Sequence, residues 1–361
     1  MKRLSSLFNR AVFGVACAVG FGALSSLASA QTQPGMVPPP LPETELIKQQ
    51  QIRTTAQPGN NQPVWSGARQ GNVGYTSVVG PETGVLIQTA GQDWRMLKNG
   101  RIATIGGWVL VGLLGLIGAF YALKGTIQLK EAPTGRLIER FTPFERIAHW
   151  STAISFSILA ISGLILAFGK YIIIPILGYS IFGFLAQIAK TMHNFIGPLF
   201  IVSCVITFFT FLRDNWPKAV DFQWLTSFGG LLSGKHIPSE RFNAGEKVWF
   251  WGGLMGLGIV VGASGLVLDF PNFGQTRATM QLANIIHFIG ALAFMAGAFG
   301  HIYMGTIGMA GAYKAMRTGM VDDAWAKEHH EIWYRDVVNG KVKRNRTHNA
   351  AIATAQGAGD D

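Results

Sequence analysis

Charge is what this sequence has least of. Asp, Glu, Lys and Arg together make up 14% of 361 residues, against 49% hydrophobic residues, a balance too apolar for an ordinary soluble domain. Cysteine is nearly absent. Only Cys17 and Cys204 occur, each inside an apolar run, so a disulfide framework, a structural zinc site and a covalent c-type haem, which needs Cys-x-x-Cys-His, all lack their residues. Acidic side chains are outnumbered, and the net charge is +11. The basic residues sit at the ends of apolar runs and form no separate basic domain, so the excess fits membrane topology and not nucleic-acid binding.

What remains is a membrane chain that divides readily. Residues 1–30 carry Lys2, Arg3 and Arg10, then an uncharged run, then Ala28-Ser29-Ala30; this is the pattern of a secretory signal peptide cleaved after Ala30, or else of an uncleaved anchor. Either one exports the next segment. Residues 31–102 begin rich in Pro and Gln and poor in large apolar side chains, too little to offset chain entropy, and read as a partly disordered periplasmic arm. Trp65, Tyr75 and Trp94 in its second half could pack on a partner or on the membrane face.

Five uncharged segments follow, at 103–123, 147–169, 191–212, 248–268 and 284–312, each as long as the ~20 residues a helix needs to span a bilayer. The first, 103–123, has no polar signature and reads as an anchor; the other four read as a bundle within 141–312. A further apolar run, 171–189, contains Pro175, Gly178 and Gly183 and is expected to be an interfacial or re-entrant connection. With the arm exported, the segments 124–146, 213–247 and 314–361 carry 5, 5 and 8 Lys plus Arg, while 170–190 and 269–283 carry 2 and 1. That asymmetry places the basic tail, 313–361, in the cytoplasm of a multi-pass inner-membrane protein.

No Asp, Glu, Lys or Arg lies in any span, yet four of the eight histidines do: His149, His193, His287 and His301. Ionisable groups at membrane depth are costly and usually functional. His287 and His301 are fourteen residues apart, which on one helix is ~21 Å of rise on nearly the same face. The topology sorts the four into an inner pair, His149 with His301, and an outer pair, His193 with His287. Two imidazoles per iron suit six-coordinate b-type haem and electron transfer, and Gly197, Gly290, Gly297, Gly300 and Gly305 nearby leave room for a flat porphyrin. A lone membrane histidine is otherwise an interhelical hydrogen-bonder, and such glycines are otherwise packing contacts. The fold expected is all-α: a four-helix haem-binding transmembrane bundle plus one extra N-terminal transmembrane helix. His236, His348 and the pair His329-His330 read as ordinary polar-segment residues, the last two in an amphipathic stretch. Cys204 reads as packing.

At these residues the chain resembles the gamma subunit, the cytochrome b membrane subunit, of respiratory formate dehydrogenase. The matching strings are Arg140-Phe141-Thr142-Pro143-Phe144-Glu145-Arg146-Ile147-Ala148-His149-Trp150, Lys190-Thr191-Met192-His193-Asn194-Phe195-Ile196-Gly197-Pro198, Arg241-Phe242-Asn243-Ala244-Gly245-Glu246-Lys247, the His287/His301 pair, and Trp325-Ala326-Lys327-Glu328-His329-His330, within roughly 141–334. The resemblance implies two haems b, the outer on His193 and His287 and the inner on His149 and His301. It also implies an iron-sulfur beta subunit delivering electrons, a formate-oxidising alpha subunit, and a quinone accepting electrons near the inner haem at Asn243. Glu246 stands where some members carry Gln; it would relay protons to the quinone or simply begin a helix. Arg140 or Arg146 inside and Lys190 outside would serve haem propionates or anchor at the interface. The signal peptide, the arm and the anchor helix depart from the family's four-helix form. A hydrogenase or thiosulfate reductase cytochrome b would keep these haems and change the partner; a non-redox anchor or transporter would use the histidines for packing or proton relay.

Overall fold

The computed structural model describes residues 89–227, 229 and 237–342, with 44, 45, 48, 51 and 52 as isolated positions. The signal peptide, most of the arm, the last part of the basic tail, His236 and His348 lie outside the described residues. Two compact units make up what is described. One holds the residues up to Ile102 with Pro271–Leu282, and the other holds Ala103–Phe270 with Ala283 onward.

In the first unit, α1 (Thr89–Met96) continues into the wider π-type turns of Leu97–Ile102. The second unit opens with α2 (Ala103–Lys124), ~33 Å at 1.5 Å per residue. Its exposed face carries Trp108, Val109, Leu116 and Leu123, a surface that belongs in lipid and not in water. Strand β1 (Leu137–Glu139) leads to α3 (Pro143–Phe211). Thr142 caps α3: its hydroxyl accepts from the Glu145 N–H while Glu145 accepts from the Thr142 N–H, a reciprocal arrangement worth about 0.5–2 kcal/mol.

As one rod, α3 would be ~100 Å long. It folds back at Gly178, whose φ of 80° and ψ of 175° fall in a region open essentially to glycine alone. The arms 143–177 and 179–211 then run antiparallel, as contacts placed roughly symmetrically about the fold show: Thr152 to Thr207 at 2.8 Å, Ser155 to Ser203 at 3.4 Å and Thr207 to the Ala148 carbonyl at 3.0 Å. Small hydroxylated residues let two membrane helices approach closely. The run 171–189, expected to be a connection between spans, contains the fold. It is helix on both sides of a single-residue break, because Pro175 and Gly183 are accommodated and only Gly178 leaves helical geometry.

Helix α4 (Ala219–Thr226) is followed by α5 (Ala244–Val248), a π-type stretch (Trp249–Leu257) and α6 (Gly258–Asp269). Helix α7 (Arg277–Tyr303) ends in a π turn at Met304–Gly308. Four stretches among the described residues are long and apolar enough to cross a membrane: Ala90–Lys124, Pro143–Phe211, Ala244–Asp269 and Arg277–Gly308. Since α3 folds on itself, they supply five crossings.

The segment read as a tail is folded as far as Val342. Helix α8 (Ala312–Thr318), strand β2 (Met320–Asp322), α9 (Asp323–His329) and α10 (Glu331–Val338) form a cap. Strand β2 pairs antiparallel with β1, Ile138 opposite Val321. Around that pair lies the largest buried cluster, with Phe141, Phe211, Phe250, Trp325, Ala326 and Trp333.

Candidate functional site

The four membrane histidines meet in two tiers. His193, in the second arm of α3, faces His287 of α7 with ring centroids 6.0 Å apart and planes at 78°. His149, in the first arm, faces His301 at 6.2 Å and 53°. Two imidazoles hydrogen-bonded directly would bring their centroids to ~5 Å, from a ~2.9 Å N···N contact plus the ring radii. A metal between them sets ~6.2 Å, from two bonds of ~2.0 Å plus the same radii. Both separations leave room for a metal between the rings. Among the described residues no three His, Cys, Asp or Glu cluster to hold a bare metal ion. Two imidazole nitrogens per couple would suit an iron that brings its remaining donors with it.

The couple nearer the α3 fold is gripped by hydrogen bonds. His287 Nδ1 lies 3.0 Å from the Val261 carbonyl and 3.3 Å from the Ser264 hydroxyl. A carbonyl only accepts, so Nδ1 carries the proton and the Nε2 lone pair is free for a metal. His193 Nδ1 is 2.9 Å from Ser162 Oγ. That hydroxyl donates its own proton to the Ile158 carbonyl at 2.7 Å, so its oxygen accepts from the imidazole. Each ring also lies over a glycine: a Cβ on Gly163 would stand 3.4 Å from His193 Cε1, and one on Gly265 3.3 Å from His287 Cε1.

The couple nearer the cap is held by aromatic packing. His301 stacks on Trp249 at 5.2 Å and 16°, and that indole fits because Gly253 and Gly297 present no Cβ to it. His149 meets Trp150 edge-on at 5.4 Å, and Trp150 donates to the Met316 carbonyl at 3.2 Å. His149 Nδ1 is buried with no hydrogen-bond partner among the described residues.

Between the tiers is a layer of phenylalanine. Phe294 is seven residues from both His287 and His301. It packs on Phe156 at 4.8 Å and Phe200 at 6.0 Å, and those two lie 6.1 Å apart. Cys204 packs against this cluster.

Of the glycines that sequence reading assigned to a porphyrin, Gly290 packs on Val260 and Val261 and Gly297 on Trp249, whereas Gly197, Gly300 and Gly305 face open space. Asn243 caps α5, its side chain accepting from the Glu246 N–H at 3.0 Å while Glu246 accepts from the Asn243 N–H at 2.8 Å. Glu246 also accepts from Arg140 at 3.0 Å. Both residues thus have structural work at a helix start. Arg140 is buried and donates to the Arg241 carbonyl at 2.9 Å as well; burial pulls its pKa down and the Glu246 carboxylate pushes it back up. Arg146 donates to the Thr318 carbonyl at 2.6 Å, and Lys190 to Asn194 Oδ1 at 2.8 Å.

Two features escaped sequence reading. The Ser162-Gly163 and Ser264-Gly265 cradles were foreshadowed by near-identical strings at 162–166 and 264–268. The ionic network under the cap had a weaker signal. In it Arg241 bonds Glu145 at 2.7 Å and also Asp214, and buried Lys247 bonds Asp221 at 2.8 Å and Glu240 at 3.2 Å. His330 is fully buried there and donates from Nδ1 to the Glu240 carbonyl at 2.6 Å. Burial first, then the positive charge of Arg140, holds its pKa well below the usual imidazole value.

The chain is similar over its bundle to known membrane cytochromes. A family model described as prokaryotic cytochrome b561 matches residues 140–319. The formate dehydrogenase cytochrome b556(fdo) subunit of Escherichia coli K12 is 31% identical over 204 residues, covering 55% of this chain and 93% of that protein. The nitrate-inducible formate dehydrogenase cytochrome b556(Fdn) subunit of the same organism is 28% identical over 216 residues, 58% of this chain and 95% of that protein. A formate dehydrogenase cytochrome b556 subunit of Haemophilus influenzae is 27% identical over 217 residues, 58% of this chain and 87% of that protein.

Proposed function

This chain belongs to the family of formate dehydrogenase cytochrome b556 subunits, and from that premise we propose that it is the di-haem membrane subunit of such an enzyme, conducting electrons across the bilayer to quinone. The observation that carries the reading is the pair of imidazole couples at 6.0 and 6.2 Å on a helix that separates them by ~21 Å. His193 and His287 would hold one haem b, and His149 and His301 the other. When bound, b-type haem would supply one-electron chemistry.

The chain's own residues do the rest. The Val261 carbonyl and Ser264 fix the proton on His287 Nδ1, which leaves Nε2 to bind iron. Trp249 holds the His301 ring flat. By the charge asymmetry of its loops, the His193/His287 tier lies toward the periplasm and the cap toward the cytoplasm. An iron-sulfur subunit, itself fed by a formate-oxidising subunit, docks on the periplasmic side. Quinone is reduced on the cytoplasmic side near Asn243, with Glu246 as a proton carrier. Protons released outside and consumed inside build a gradient without a pump.

A reduced-minus-oxidised spectrum of the purified complex with a haem-to-chain ratio tests the haem count, and formate-driven quinone reduction tests the path. Two haems per chain, falling to one in His287→Ala and to none when His149→Ala is added, is the result expected. A wild-type ratio of one or zero would overturn the reading.

A further inference from the structure

Two strings in the bundle are near copies: Ser162-Gly163-Leu164-Ile165-Leu166 in the first arm of α3 and Ser264-Gly265-Leu266-Val267-Leu268 in α6. Each stands in the same relation to an imidazole of one tier. The Ser162 hydroxyl donates to the Ile158 carbonyl at 2.7 Å and faces His193 Nδ1 at 2.9 Å. The Ser264 hydroxyl donates to the Val260 carbonyl at 2.6 Å and faces His287 Nδ1 at 3.3 Å. The following glycine in each string lies under the ring's Cε1, at 3.4 and 3.3 Å from an added Cβ. Back-bonding to the preceding turn is what any membrane-helix serine does. It does not require a glycine beneath a neighbouring imidazole, and it does not recur at both ligands of one couple.

We infer that the two Ser-Gly steps are a duplicated positioning device for His193 and His287, which turns Nε2 toward the metal and strengthens both rings as electron donors. The inference rests on the haem reading above and deepens it. An imidazole that donates its Nδ1 proton to an oxygen is a more basic ligand through Nε2. A more basic ligand stabilises ferric iron over ferrous iron and lowers the reduction potential. His149 has no such partner for its Nδ1 among the described residues. The His193/His287 tier is thereby set below the His149/His301 tier in potential, and an electron arriving at the first moves downhill to the second.

Spectropotentiometric titration of the full-length chain in its membrane complex tests this on Ser162→Ala, Ser264→Ala, the double variant and the corresponding threonine variants. The double variant is expected to keep two haems while one midpoint rises by an equilibrium factor of about tenfold, about 59 mV for one electron. The other midpoint stays put, and threonine restores the first. Loss of one haem that threonine restores is the same result in stronger form. Unmoved midpoints, an equal shift of both, or a haem loss that threonine does not restore would overturn the inference. A wild-type protein with fewer than two haems defeats the parent reading, whereas two wild-type haems with unmoved potentials in the double variant defeat this inference alone.

Discussion

The two histidine tiers have nearly the same span, 6.0 and 6.2 Å, and are built by different means. Near the α3 fold each ring is tied at Nδ1 by an oxygen and backed by a glycine. Near the cap the rings are wedged by indoles, and His149 Nδ1 is left without a bond among the described residues. Hydrogen bonds fix a tautomer and tune a ligand; packing fixes an orientation and leaves the electronics alone. The chain thus makes two couples of one residue type unequal through their surroundings.

The largest break in the comparison is expected from the ligands themselves. His287→Ala should remove one haem and all formate-driven quinone reduction while leaving the cap-side haem in the spectrum; retention of both haems would show that the couple is not a ligand pair. Next comes the cap-side wedge. Trp249→Ala empties the space beside Gly253 and Gly297, a large-to-small change worth about 3–5 kcal/mol. Thermal unfolding should fall accordingly, and only the cap-side haem should change its absorption band. Arg241→Ala takes from Glu145 its cationic partner at 2.7 Å, and breaking so buried a pair costs about 3–5 kcal/mol. Glu145 keeps its bonds from the Thr142 N–H and hydroxyl, which puts the effect at the lower end, read in proteolysis of the cap.

The smallest effect is a pH dependence confined to the cap. Folded His330 stays neutral because burial depresses its pKa, whereas the unfolded imidazole takes a proton below about pH 6.5. As pH falls through that value the unfolded state binds more protons, so stability drops by up to about 1.4 kcal/mol per unit. Limited proteolysis between pH 7 and pH 5 should release the cap progressively, with His330→Gln flattening the profile and the hairpin-side haem spectrum unchanged throughout.

Much of this was legible in the residues. Charge-free runs, basic flanks and a fourteen-residue interval between two histidines dictated spans and tiers, because the cost of burying charge and the pitch of a helix are local properties. The helical hairpin was not legible, since Pro175 and Gly183 look as disruptive in a string as Gly178, and only the folded backbone shows which of them breaks the helix. The serine cradles were hidden for another reason: a serine in an apolar run satisfies itself, and its second partner sits on a different helix. The cap depends on pairing Ile138 with Val321, a contact between distant parts of the chain that no periodicity announces.

The phenylalanine layer also governs what the membrane holds back. Phe156, Phe200 and Phe294 meet between the two couples and their side chains carry no hydrogen-bonding atoms. Water needs two to four polar partners to settle in a protein interior, so these three rings offer a file of water nowhere to settle and a proton nothing to hop along. On the function proposed above, current would flow from tier to tier past a layer that offers acid no path, and the voltage it builds would not leak away through the conductor itself.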